Sequence, residues 1–256
     1  MRIVQLALLA LIAFVITVIV RFPAAPVLSR LQPQLGPIAL EGIDGPLIGG
    51  QIARVRSTDD LLPLEFTDVG WSLAPLRLFR GLGADVDFEG YGGAGEGEVT
   101  RSWNGRVFID DLQFEADAKA LEALLPVPLA SFSGRLDGDV ETIVLENESL
   151  TRFNGRLSWT DALLETPLRA SLGTLDIVVE PDDNETHTAT LSATGGDVAV
   201  DGTVTLALNG DFNADVLLTP AADAPPDLLA ALSRMARPES GGRFRWQQNG
   251  NVNRLM

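Results

Sequence analysis

Cysteine is absent from this 256-residue chain, and histidine occurs once, at position 187. Without cysteine there is no disulfide framework, no thiolate nucleophile and no Cys-based zinc or iron–sulfur site. With a single histidine, neither a His-based catalytic triad nor a multi-histidine metal centre can be assembled. His187 follows the polar run Asp182-Asp183-Asn184-Glu185-Thr186 and reads as a solvated turn residue. Basic residues are scarce as well. With Arg2 and Arg21 set aside as flanks of the N-terminal apolar run, 17 basic groups stand against 35 acidic ones, a net of −18. A surface of that sign repels nucleic acid and anionic lipid headgroups, and it favours basic partners.

The one long hydrophobic run is Ile3 to Val20, broken only by Gln5 and Thr17. As a helix it spans roughly 27 Å, close to the thickness of a bilayer core. A cleaved signal peptide would have a shorter apolar region and a small-x-small site, whereas Phe22-Pro23-Ala24-Ala25-Pro26 follows here. Residues 1–21 are therefore expected to form a short N-terminal tip and a transmembrane anchor. Arg2 and the terminal amine are balanced by Arg21 and Arg30, so charge does not fix the orientation. The run contains no glycine, which argues for a simple tether rather than a helix-packing face. Residues 22–37, with Pro23, Pro26, Pro33 and Pro37, read as an extended stalk.

From residue 38 to 256 the dominant hydrophobic period is two, with turn signals every ten to fifteen residues. Val198, Val200, Gly202, Val204, Leu206 and Leu208 share one strand face, and Asn209-Gly210 then leads to a second alternation at Phe212, Ala214, Val216 and Leu218. This predicts a hairpin with positive φ at both turn positions. Asn-Gly recurs at Asn104-Gly105, Asn154-Gly155 and Asn249-Gly250. Gly-Arg-apolar triplets begin at Gly105, Gly134, Gly155 and Gly242, each reading as a turn glycine that starts a strand. Short helices are expected at Ala118 to Leu125 and at Asp227 to Ala236. The fold class is all-β: a long, twisted antiparallel sheet able to curl into a partial barrel, with the N-terminal transmembrane helix and two short helices.

No residue pattern carries a recognisable chemistry. Asp85, Asp87 and Glu89, and then Asp137, Asp139 and Glu141, put carboxylates roughly 7 Å apart along single strand faces. Such rows lack the loop and carbonyl ligands of a calcium site and read as solvated sheet. The run Gly90-Tyr91-Gly92-Gly93-Ala94-Gly95-Glu96-Gly97 lacks the Lys-Ser/Thr ending of a phosphate loop and reads as a mobile turn. Trp71, Trp103, Trp159 and Trp246 read as core or groove-lining aromatics. No catalytic, cofactor-binding or metal-ligating residue is assigned.

Several blocks along the chain resemble the general secretion pathway protein N family, an inner-membrane component of bacterial type II secretion systems. They include Trp71-Ser72-Leu73-Ala74-Pro75-Leu76, Leu121 to Pro128 before Gly134-Arg135-Leu136, and Phe153-Asn154-Gly155-Arg156-Leu157-Ser158-Trp159-Thr160-Asp161-Ala162. Asp201-Gly202-Thr203, Leu208-Asn209-Gly210-Asp211-Phe212 and Leu218-Thr219-Pro220 follow. One block departs: where the family is expected to carry Asp-Gly-Thr-x-Trp-x-Gly, this chain has Asp44-Gly45-Pro46-Leu47-Ile48-Gly49-Gly50. The resemblance implies a cytoplasmic N-terminus and a periplasmic β-domain. It further implies a noncatalytic accessory or scaffold role in exporting folded proteins across the outer membrane, with other inner-membrane or periplasmic secretion components as partners. Trp71, Pro75, Gly155, Trp159, Gly210 and Phe212 are the candidate structural or interaction residues. The alternative is an envelope lipid-handling module of the AsmA-like type, distinguished by an open apolar groove in place of a filled core.

Overall fold

The structure, a computed structural model, describes residues 21–34, 36, 38–57, 63–74, 81–124, 131–146, 149–166, 169–182 and 186–251. The apolar run 3–20 and Pro75 lie outside the described residues. Among those described, no helix is long and apolar enough to cross a membrane.

Fourteen strands form one antiparallel sheet. They are β1 (Ile38–Asp44), β2 (Gly49–Ser57), β3 (Glu65–Leu73), β4 (Gly81–Gly90), β5 (Gly93–Ser102), β6 (Val107–Asp117) and β7 (Ser131–Glu146). They continue as β8 (Ser149–Thr166), β9 (Ala170–Pro181), β10 (Thr186–Gly195), β11 (Val198–Ala207), β12 (Asp211–Pro220), β13 (Arg237–Pro238) and β14 (Phe244–Asn251). Every strand from β1 to β12 pairs with its sequence neighbour, β14 follows β12, and the two-residue β13 lies outermost. The ends do not join, so the expected long antiparallel sheet is present and open, about 60 Å across at the usual strand spacing.

Bends are built in by left-handed residues inside strands. Asp68, Asp111 and Asp161 have φ near +50°, and each sits where the ladder register slips: in β3 against β4, in β6 against β5, and in β8 against β9. A bulge of this kind bends and over-twists its strand, and Asp tolerates the conformation better than most residues. Where β10 ends at Gly195, β9 meets the start of β11 directly: Asp197 N–H donates to Ser171 C=O at 2.8 Å, and Ser171 N–H donates to the Asp197 carboxylate at 2.8 Å.

Helix α1 (Ala25–Leu31) corrects the expectation of an extended stalk. It is followed by a 3₁₀ turn at Gln32–Gln34. Pro26 lies in the first helical turn, where its missing N–H is no loss, so the proline spacing permits a helix. The segment is pinned to the sheet: Leu47 N–H donates to Phe22 C=O, Ala24 N–H donates to Gly45 C=O, and Ala24 is fully buried. The C-terminal helix α2 (Pro226–Met235) forms as expected, and the other short helix is a 3₁₀ turn at Ala120–Leu124.

The turns depart from their expected chemistry. Asn209-Gly210 does close the hairpin of β11 and β12, but only Gly210 has positive φ, and Asn209 instead accepts the Asp211 N–H on its side chain at 3.0 Å. Asn154-Gly155 and Asn249-Gly250 lie inside β8 and β14, and Gly134 and Gly155 lie within strands rather than at their starts. The Gly-rich run is ordered: Tyr91 and Gly92 both have positive φ and make a two-residue turn between β4 and β5. Tyr91 Oη accepts the Glu65 N–H at 2.9 Å, and its ring packs edge-on against Phe66.

Candidate interaction surfaces

Strand alternation gives the sheet one apolar and one polar face. On the apolar face, aromatic rings lie over glycines of the adjacent strand. Phe88 covers Gly95, Phe114 covers Gly138, Trp71 covers Gly50, and Phe212 covers Gly250. The approach is close enough that a Cβ on Gly95 would lie 2.5 Å from the Phe88 ring. These pairs bury ring area without needing a second layer.

Among the described residues, that second layer is small. Its main piece is α2, whose Leu228 and Leu232 (3% and 8% exposed) pack on Ala170 and Val198, with Leu172, Val200, Leu218 and Phe244 around them. Elsewhere small residues such as Val140, Ala193, Ala214 and Val216 are buried, yet among the described residues no large side chain is fully so. The larger ones, including Leu157, Ile177, Leu191 and Trp246, remain half-buried on this face.

The polar face carries the two carboxylate rows, and the ladder aligns them. Asp87 stands opposite Glu96, Glu96 opposite Gln113, Gln113 opposite Asp139, and Asp139 opposite Arg156. A parallel row runs from Glu115 to Asp137 to Ser158. Together with Asp68 and Glu89 these residues line a wide shallow concavity of about 880 Å³ spanning β2 to β8. Among the described residues, Arg156 is the single cation in its lining, and Arg135 pairs with Glu115 at 3.1 Å nearby. Like charges directly opposite in a ladder are destabilising, so this surface is held against a repulsion that a cationic partner would relieve. Among the described residues, no group of three or more acidic or histidine side chains converges to hold a metal ion.

The candidate residues from the sequence fall at structural joints. Trp71 donates its indole N–H to Leu47 C=O at 3.1 Å, closing over the same turn that departs from the family block. Trp159 donates likewise to Ser133 C=O at 3.1 Å. Gly155 lies where a Cβ would sit 2.9 Å from the Val140 Cα, so it permits the close approach of β7 and β8. Gly210 turns the β11–β12 hairpin, and Phe212 lies at the start of β12 over Gly250. These positions hold the sheet in shape and do not converge on one site. Trp103 departs from the expected core role: it lies in the β5–β6 turn and is 72% exposed.

His187 corrects the sequence reading most sharply. It lies in β10, is only 6% exposed, and its Nε2 accepts the Phe153 N–H of β8 at 3.0 Å, reaching across β9. An acceptor nitrogen is an unprotonated one, and burial first, then nearby Arg152, holds its pKa below the ordinary value. The sequence hid this because Thr186, Thr188 and Thr190 make the strand look polar on one side, while Ala189, Leu191 and Ala193 share the histidine's face.

The sequence model of the family described as Type II secretion system (T2SS), protein N matches residues 36–247. The chain is 31% identical over 245 residues to the type II secretion system protein N of Vibrio cholerae serotype O1, covering 92% of this chain and 93% of that one. It is 28% identical over 258 residues to the protein of the same name from Aeromonas hydrophila, covering 97% and 98%. No solved structure matches.

Proposed function

Because this chain belongs to the type II secretion system protein N family, we propose that it is a noncatalytic, membrane-tethered accessory of that machine. Residues 3–20 hold it in the bacterial inner membrane with the N-terminus in the cytoplasm. The sheet stands in the periplasm and presents its faces to other inner-membrane or periplasmic secretion components, supporting export of folded proteins across the outer membrane. The observation that carries this reading is the extent of the family match: residues 36–247 take in nearly the whole sheet, so the unit shared with the family is the surface itself.

The deciding experiment is in-cell crosslinking from photoreactive residues on the polar face, at Glu96 and Asp139. Recovery of secretion components is expected, and recovery of none undermines the reading. In a chain with Asp85, Asp87 and Asp137 together replaced by Asn, loss of export with the fold and the crosslinks intact would point to chemistry, whereas loss of the crosslinks as well would point to a lost contact.

A second reading, envelope lipid handling, is favoured by one observation: α2 covers the apolar face at one end, and the large side chains beyond it stay half-buried. Hydrocarbon suits such a face because it brings no polar backbone that would lose its hydrogen bonds there. Mass spectrometry of the chain purified from membranes separates the two, since absence of copurified phospholipid counts against lipid handling.

A further inference from the structure

The hairpin turns of the sheet fall at two ends, and one end is tied to the point where the apolar run 3–20 stops. Two peptide steps, at most about 7 Å, separate Val20 from Phe22. Leu47 N–H, in the turn between β1 and β2, donates to Phe22 C=O at 2.7 Å. From that turn, backbone bonds cross the end of the sheet. Leu73 N–H donates to Ile48 C=O at 2.7 Å, and Ala74 N–H donates to Gly83 C=O at 3.0 Å, near the start of β4. Gly81 pairs in turn with Ser102, so the β5–β6 turn stands at this same end, four strand spacings or about 20 Å from the β1–β2 turn.

Exposed apolar side chains gather along this end. Trp103 in the β5–β6 turn is 72% exposed, and Leu82 at the start of β4 is 51% exposed. The ladder sets Leu82 opposite Arg101, Arg101 opposite Val107, Val107 opposite Leu145, and Leu145 opposite the exposed Leu150. This is one cross-strand row on the apolar face, with Arg101 its only charge. Exposed apolar surface gathered in one place marks a contact.

Resting on the tether reading, we propose that this apolar rim is set into the membrane surface beside the anchor. Trp103 and Leu82 enter the headgroup region of the leaflet from which the anchor emerges, and the sheet stands end-on to the bilayer. A bilayer is the occupant because the short link from Val20 to Phe22 leaves this end no distance to stand off from it. The amphipathic ring of tryptophan favours that depth. Arg101 lays its stem along the apolar row while its guanidinium reaches lipid phosphate. The acidity of the chain as a whole does not oppose the contact here, since residues 101–109 contain two arginines and no acid, and Glu146 at the end of β7 is paired with Arg106 at 3.1 Å. Beyond β8 the same end carries Asp182 and Asp211, which anionic lipid would repel, so the contact is confined to the β4–β8 side.

The absence of cysteine lets one introduced thiol report on one position. The full chain is reconstituted in vesicles of phosphatidylethanolamine and phosphatidylglycerol. The fluorophore NBD is attached either to Asn104→Cys, beside the intact Trp103, or to Ala222→Cys, exposed at the opposite end after β12. Phospholipid carrying a doxyl group at the top of its acyl chain should quench position 104 about fivefold more than position 222, and aqueous iodide should do the reverse. Adding Trp103→Asp should bring position 104 to the level of position 222. Equal lipid quenching at the two positions, or lipid quenching at 104 that survives Trp103→Asp, overturns the rim contact. A chain that washes off the vesicles in alkaline carbonate removes the tether reading and this proposal together, whereas a chain that stays while position 104 reads as water overturns this proposal alone.

Discussion

The two halves of this sheet are stabilised in different ways. Strands β9 to β14 have a conventional core, in which α2 presses Leu228 and Leu232 onto Ala170 and Val198. Among the described residues, strands β2 to β8 have no α-helix over them. They are held by ladder hydrogen bonds, by rings laid over glycines, and by bulges at Asp68, Asp111 and Asp161, while carrying the opposed carboxylates of the concavity. One half resists unfolding through buried side chains and the other through backbone geometry, so each should fail under a different substitution.

The largest effect is expected from Leu228→Ala, which opens a cavity under α2 and should cost about 3 kcal/mol, read from chemical denaturation followed at Trp246. A loss below about 1 kcal/mol would mean that α2 is not the lid of a core. The next is Gly134→Ala. Gly134 has φ +113°, and a Cβ there would lie 2.5 Å from Thr160 C=O and 2.7 Å from the Trp159 indole nitrogen. About 2 kcal/mol should be lost, with a change in Trp159 fluorescence as its bond to Ser133 is disturbed. A silent substitution would show that β7 does not need this conformation.

His187 links the halves, since it bonds β10 to β8. Its pKa is lowered in the folded chain, first by burial and then by Arg152, whereas the unfolded value is near 6.5. The unfolded chain therefore binds the proton more readily, and stability falls as pH drops below about 6.5. The denaturation midpoint should be lower at pH 5.5 than at pH 7.5, and His187→Gln should flatten that slope; an unchanged slope would exonerate the histidine. The smallest effect belongs to the polar face. Asp87→Asn removes one carboxylate facing Glu96 and should stabilise by about 0.2–1 kcal/mol. The gain should shrink in high salt, and a destabilised variant would mean that the carboxylate is held by a favourable contact.

Much of this architecture was legible in the residues. Period-two alternation marked the strands, the sequence from Val198 to Leu218 marked the β11–β12 hairpin, and prolines bracketed α2. What misled was local chemistry taken out of its sheet. Asn154-Gly155 resembles a turn, yet its glycine is there so that β8 can approach Val140. The proline-spaced segment after residue 22 resembles an extended stalk, yet Pro26 falls where a helix accepts it. Tyr91, and not an asparagine, occupies the left-handed position of a two-residue turn, because its hydroxyl is held by the Glu65 backbone.

The sequence by itself determined the β class, the two-faced character of each strand, the acidic sign of one face and the absence of cysteine chemistry, because these follow from composition and a two-residue period. Which strands stand side by side was decided only by the tertiary structure. Register is a long-range property: it brought Asp87, Glu96, Gln113 and Asp139 into one row and carried His187 across β9 to Phe153.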